Sequence, residues 1–336
     1  MSPLAQTLAA SPELFPAVLD VRSSAVTLWR LSRADYEQAA FLDGRIASGK
    51  PSRQLRFAEL TAAVEETKLG ENCDFIFHLG HVGSTLLSRL LGRHPALFSL
   101  REPDILRTLA TIREKTRRDA YLPSFLKLWS RTYEPAARAL VKTTSFVSEI
   151  AVELLSRPYW PRALAIGVAP EIYLATIFGG ANAPAEARAL APFRLERARR
   201  RLAVEWRLDD FTEGEIVAMS WMCETLCLAE AVAAANARVL VLDFEEFLEH
   251  SHDVLAAAFA HFDVQATASD VAEILRGPGM RVYSKAPEYR YDAQTRHAVL
   301  AEGRTRYADQ IRAGLSWIDR AAAEHPRLAQ ALTLFG

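Results

Sequence analysis

In Phe75-Ile76-Phe77-His78-Leu79-Gly80-His81-Val82-Gly83-Ser84-Thr85-Leu86-Leu87, an apolar run leads straight into a glycine turn and then into an apolar helix-forming segment. Such a run suits a buried strand. Gly80 and Gly83 let the backbone curl without Cβ clashes, and the first amides of a helix have no intrahelical acceptor. Ser84 and Thr85 add hydroxyl donors, so Gly80, His81, Val82, Gly83, Ser84 and Thr85 form a candidate phosphate cradle. A tight strand-to-helix connection that binds nothing fits the same residues, and both readings stay open. No lysine follows Gly83, so the ATP or GTP loop with its lysine and magnesium-binding hydroxyl does not match.

Around this segment, short apolar runs alternate with long amphipathic ones. Strands are expected at residues 75–79, 96–100, 140–142, 163–168 and 239–243, and helices from Ser84 and over 105–117, 122–133, 146–157, 171–178, 185–207, 215–236 and 254–262. That order predicts an α/β domain with a mostly parallel sheet flanked by helices, binding ligands beyond the carboxyl ends of its strands. Residues 1–72 read as an N-terminal appendage and residues 73–336 as the main domain. In the appendage, 25–31 is expected as an edge strand, Ser32 with Asp35 as the cap of a covering helix reaching about Leu42, and 44–53 as a loop without visible chemistry. After Ala268 the chain is expected to be helical except over 277–292.

Half of the 336 residues are hydrophobic, enough for a substantial core, and 40 basic side chains balance 41 acidic ones. No whole-molecule field favours nucleic acid or an anionic membrane, so any anion site must be local. The N-terminus lacks a basic start followed by an apolar core, and apolar stretches such as 226–237 are shorter than a membrane span and carry Glu230, which predicts a soluble cytoplasmic protein. Cys223 and Cys227 fall on one helix face without a nearby histidine, which suggests buried free thiols and no metal. Arg194, Arg197, Arg199, Arg200 and Arg201 point in several directions around a helix rich in both signs. A solvated face is expected there, and if the cluster acts, it recruits an anionic acceptor.

The strand, glycine turn and Ser84-Thr85-Leu86-Leu87 resemble the 5′-phosphosulfate loop of the P-loop sulfotransferases that use 3′-phosphoadenosine-5′-phosphosulfate (PAPS). The resemblance extends over residues 73–291. It places His81 where the family has a basic residue at the donor's bridging oxygen, so that transfer falls as the ring loses its proton; a mere cap of the turn is the alternative. Glu102, in Arg101-Glu102-Pro103, matches the family's candidate general base, set against an ion pair with Arg101 or a charge at a helix start. Lys142 matches a lysine that faces the donor or acceptor and steadies charge on the leaving phosphate, set against an exposed lysine. Residues 239–248 resemble the family's last core strand, with Glu245 expected to cap or pair.

The resemblance breaks at Val168-Ala169-Pro170, where the family has Arg-Asp-Pro holding the 3′-phosphate; only Pro170 remains, with Thr176 in place of the family's serine. Losing a bidentate arginine is a large change. Ser284 and Lys285, with Arg281, stand where the family closes a basic loop over the nucleotide and are the expected substitutes, unless that stretch is a solvated turn. The implied activity is transfer of a sulfuryl group from PAPS to a hydroxyl or amine of a small-molecule, glycan or peptide acceptor, with no metal. A non-catalytic P-loop protein binding another phosphorylated ligand or a protein partner is the alternative, and an ATP phosphotransferase stands last.

Overall fold

The computed structural model describes residues 1–180, 182–281 and 293–336. Leu14–Asp20 (β1), Ala25–Arg30 (β2) and Ser52–Arg56 (β3) pair antiparallel in the order β1-β2-β3. The N-terminal segment is therefore a small sheet with its own helices, Pro3–Ala10, Arg33–Gln38 and Phe57–Glu66, rather than one edge strand under one helix. Pro16 interrupts β1 and shifts its register, and β3 buries only Leu55, so neither shows the alternation that marks a strand. Ser32 and Asp35 do form a capping box, but their helix ends at Gln38, short of Leu42.

Cys73–His78 (β4), Leu97–Arg101 (β5), Arg138–Lys142 (β6), Ala163–Gly167 (β7) and Val239–Asp243 (β8) form a parallel sheet in the order β5-β6-β4-β7-β8. β4 lies in the middle with all its residues buried, paired with β6 on one side and β7 on the other. The chain fills β5 and β6 on one flank before crossing to β7 and β8. The strand order therefore reverses at β4, and a crevice opens beyond its carboxyl end. The architecture is α/β, a parallel sheet flanked by helices.

Glu213–Ala235 is the longest helix among the described residues and starts from a Thr212–Glu215 capping box. It is long and apolar enough to cross a membrane, unlike the shorter stretch counted from sequence, with a mean hydropathy of 1.5 over its most apolar window. Yet 78% of that window is buried inside the protein, where the helix packs against Ala183–Leu202 and Ala308–Glu324. Its apolarity serves the core.

Asp74 sits buried at the start of β4, its Oδ1 accepting the Arg162 N–H at 2.8 Å and its Oδ2 lying 3.0 Å from Arg138 Nη1. Burial pushes this carboxyl up to about 6, against the pull of Arg138. A folded-state value above the ordinary 3.8 means that the native state holds the proton more tightly, so Asp74 destabilises increasingly as pH rises from about 4 to 6. In urea denaturation, Asp74→Asn should gain on the wild type across that interval by up to about 3 kcal/mol. A difference that does not change with pH would refute this account of Asp74.

Candidate functional site

The turn after β4 is wound by left-handed residues, with φ of +92° at Gly80, +57° at His81 and +68° at Gly83. His78 braces it: Nδ1 accepts the Gly80 N–H at 2.9 Å, and Nε2 donates to the Thr143 carbonyl at 2.8 Å, which fixes a neutral ring with its proton on Nε2. The Gly80 amide is thereby engaged and does not belong to the expected cradle. The amides of residues 81–86 meet no acceptor among the described residues, and the buried Thr85 Oγ1 has no partner either. Ser84 is buried beside it, whereas the Val82 side chain lies in the core and contributes only its backbone. Unmet amides and an orphaned hydroxyl at a helix start are the donors that an oxyanion requires.

Gly83 is required twice over, by its left-handed backbone and by the ring of Phe244, which occupies the place a Cβ would take. Phe244 is buried at the end of β8 and is covered by the Arg296 guanidinium 5.0 Å from its ring; Arg296 also pairs with Glu245. Gly83→Ala should cost at least about 2 kcal/mol, from the left-handed strain and the overpacking together. Because only the second part involves Phe244, a double-mutant cycle with Phe244→Ala should recover part of that loss. Strict additivity in thermal or urea unfolding would contradict the contact.

Glu102 follows β5 and Lys142 ends β6, in neighbouring strands whose register sets Arg101 opposite Lys142. The Glu102 N–H donates to the Lys142 carbonyl at 2.6 Å, and Lys142 Nζ donates to Glu102 Oε1. Lys142 is fully buried, not exposed, with its ammonium 5.8 Å from the centre of the Phe41 ring. Glu102 holds a left-handed backbone, φ +54°, which is unusual for a residue other than glycine. Arg101 is not its partner. That guanidinium turns away to the carbonyls of Ala39, Tyr36 and Glu37, where burial pushes it down to about 9, and it ties the appendage to the sheet.

Glu102, Gly80 and His81 line one cavity of about 170 Å³, and the appendage supplies Phe41, Asp43 and Arg45 to its wall. A segment read as lacking chemistry thus contributes charged groups to the site. Arg45 bonds to both oxygens of Asp43 and lies 3.5 Å over the Phe41 ring. His81 Nε2 is 3.7 Å from Glu186 Oε2, an ion pair when the ring is protonated. Tyr173 also lines the cavity, its phenol pushed up to about 12 by burial and so kept as a neutral donor.

Val82, Gly83, Ser84, Thr85 and Lys142 do not line this cavity, and the remaining expected residues are not gathered here either. The Thr176 hydroxyl donates to the Ile172 carbonyl of its own helix at 2.7 Å and does not line the cavity. Val168 is buried with its carbonyl accepting from Trp221 Nε1, and the ring of Phe335 stands where a Cβ on the neighbouring Gly167 would go. Ser284 and Lys285 lie outside the described residues. The arginine cluster is a solvated face only in part: Arg199 and Arg200 are exposed, but Arg194 and Arg197 are buried and share Glu224, and Arg197, Arg200 and Arg201 bond to Glu149. Helix spacing alone could not show this, because the carboxylates come from other elements. The free cysteines are all buried.

No family model matches the sequence, and no curated protein matches it. Among solved structures, the chain is similar to the sulfotransferase domain from the curacin biosynthetic pathway, with 12% identity and a TM-score of 0.41 over 70% of this chain and 90% of that one. It is also similar to mouse sulfotransferase SULT7A1 complexed with PAP, with 14% identity and a TM-score of 0.42 over 83% and 94%. A third is the sulfotransferase from Alicyclobacillus acidocaldarius, with 16% identity and a TM-score of 0.35 over 73% and 98%.

Proposed function

We propose that the chain is a sulfuryl-transfer enzyme in which the turn after β4 receives the phosphosulfate end of the donor and Glu102 acts on the acceptor. The observation that carries this is the shared cavity: a carboxylate fixed by a buried lysine faces the same space as Gly80 and His81, and His81 begins the row of amides without acceptors. Glu102 takes the proton of the acceptor hydroxyl or amine as that atom bonds to sulfur and the sulfur–oxygen bond to the donor's phosphate breaks. Lys142 is a positioning residue that holds Glu102. His81, at the mouth of the turn, supplies a proton or positive charge toward the departing phosphate.

PAPS is the proposed donor, and the two ends of its site fit unequally. Residues 81–86 and the Thr85 hydroxyl suit the phosphosulfate end. At the end of β7, Val168 and Ala169 offer the 3′-phosphate no charge, and Phe335 covers Gly167. That mismatch favours a second reading, a non-catalytic P-loop protein that binds a different phosphorylated ligand.

Calorimetry and thermal melting with PAPS and with 3′-phosphoadenosine-5′-phosphate separate the two. Saturating nucleotide should raise Tm by several degrees, and labelled sulfate should pass from PAPS to an acceptor, with Glu102→Gln lowering the rate by about 10²–10⁴. His81→Ala should also lower the rate, and His81→Arg should retain more of it because arginine keeps a positive charge at the turn. Absence of binding at high nucleotide concentration would remove PAPS from the proposal, and transfer that survives Glu102→Gln would remove Glu102.

A further inference from the structure

Arg194 reaches the cavity from the helix Ala183–Leu202, although its side chain is almost entirely buried. Its Nε donates to Glu224 Oε1 at 3.1 Å and its Nη1 to Ser220 Oγ at 3.2 Å. These bonds fix the guanidinium and leave Nη2 without a partner among the described residues, on a side chain that lines the cavity.

The charges around the cavity do not cancel at Arg194. Asp43 is held by Arg45, Glu102 by Lys142, Glu186 lies beside His81, and Asp104 feels Arg107. Asp43 and Glu102 are thus each bonded to a cation, and Glu186 gains one when the His81 ring is protonated. Glu224 cannot neutralise Arg194 alone, because it also bonds to Arg197 through both oxygens. Burial acts to raise the Glu224 carboxyl, yet Arg197 and Arg194 hold it below its ordinary range. Behind the cavity, Glu224 thus serves two buried guanidinium groups, while Arg197 also bonds to Glu149, which Arg200 and Arg201 share. A fixed, desolvated guanidinium with spare donors is a strong anchor for a carboxylate.

We infer that Arg194 anchors an anionic group of the acceptor, and that the acceptors are small hydroxy acids whose carboxylate meets Arg194 while their hydroxyl lies toward Glu102. The hydroxyl half rests on the sulfuryl-transfer reading; the carboxylate half does not. A cavity of about 170 Å³, walled in part by Phe41, Phe146 and Tyr173, suits a compact acid rather than a protein or a long glycan.

The test uses the full chain without donor. Glycolate, 3-hydroxybutyrate and 4-hydroxybenzoate are each titrated by calorimetry against the matching amide, which keeps the shape and removes the charge. In at least one pair the acid should bind about tenfold or more tightly, equivalent to about 1.4 kcal/mol. Arg194→Met should abolish the preference, whereas Arg107→Met, at a second cation lining the same cavity, should retain it. Should Arg194→Met fail to fold, the double variant Arg194→Met/Glu224→Gln removes both buried charges together and should show the same loss. No preference for the acid in any pair, or a preference that survives loss of Arg194, overturns the inference. PAP titrated into the same protein reads the donor site separately: acid preference without PAP binding keeps Arg194 and sinks the PAPS assignment, and PAP binding without acid preference does the reverse.

Discussion

A lysine ammonium fully buried at the end of a β-strand requires a carboxylate, and the rest of the site is arranged around the one that Glu102 provides. The parallel register of β5 and β6 brings the two residues side by side, and the short backbone bond from Glu102 to Lys142 reinforces the pair. Glu102 pays for its place with a left-handed backbone, a strain of order 1–3 kcal/mol that elements packed around a site can sustain. The pair cannot relax into solvent. Phe41 lies against the ammonium on one side, and the bonds from Arg101 to the Ala39, Tyr36 and Glu37 carbonyls keep the appendage in position.

The glycine turn is preorganised in a similar way, by groups remote in sequence. His78 binds the Gly80 amide and the Thr143 carbonyl at once, joining the turn to the end of β6, while Phe244 closes the face of Gly83 from β8. What remains is a row of amides with nothing to bind, next to a hydroxyl in the same condition. The end of β7 is different in kind, because Val168 is buried there and the ring of Phe335 covers Gly167.

Much of this was legible in the sequence because it is local. The strand, turn and helix around Gly80–Thr85 declare themselves through hydrophobic runs and glycine spacing, and Glu102 and Lys142 could be placed at strand ends for the same reason. Burial of Lys142 and its choice of partner depend on strand order, which periodicity does not encode. Arg194 and Arg197 were misread because mixed charges scattered around a helix look solvated until a second helix sets Glu224 against them. His78 passed for an ordinary strand residue: nothing near it in the chain announces the Thr143 carbonyl. Phe41, Asp43 and Arg45 fall in an irregular stretch with no pattern at all, and only the fold reveals that they line the cavity.

That last placement separates two jobs within one small space. The groups proposed for chemistry stand on the ends of the parallel strands, whereas Phe41, Asp43 and Arg45 arrive on a loop whose own sheet is independent of them. Exchanging Asp43 and Arg45 alone would reshape one wall of the chamber while leaving Phe41 against the lysine. A scaffold built this way can acquire new tastes in what it modifies without having to reinvent how it modifies it.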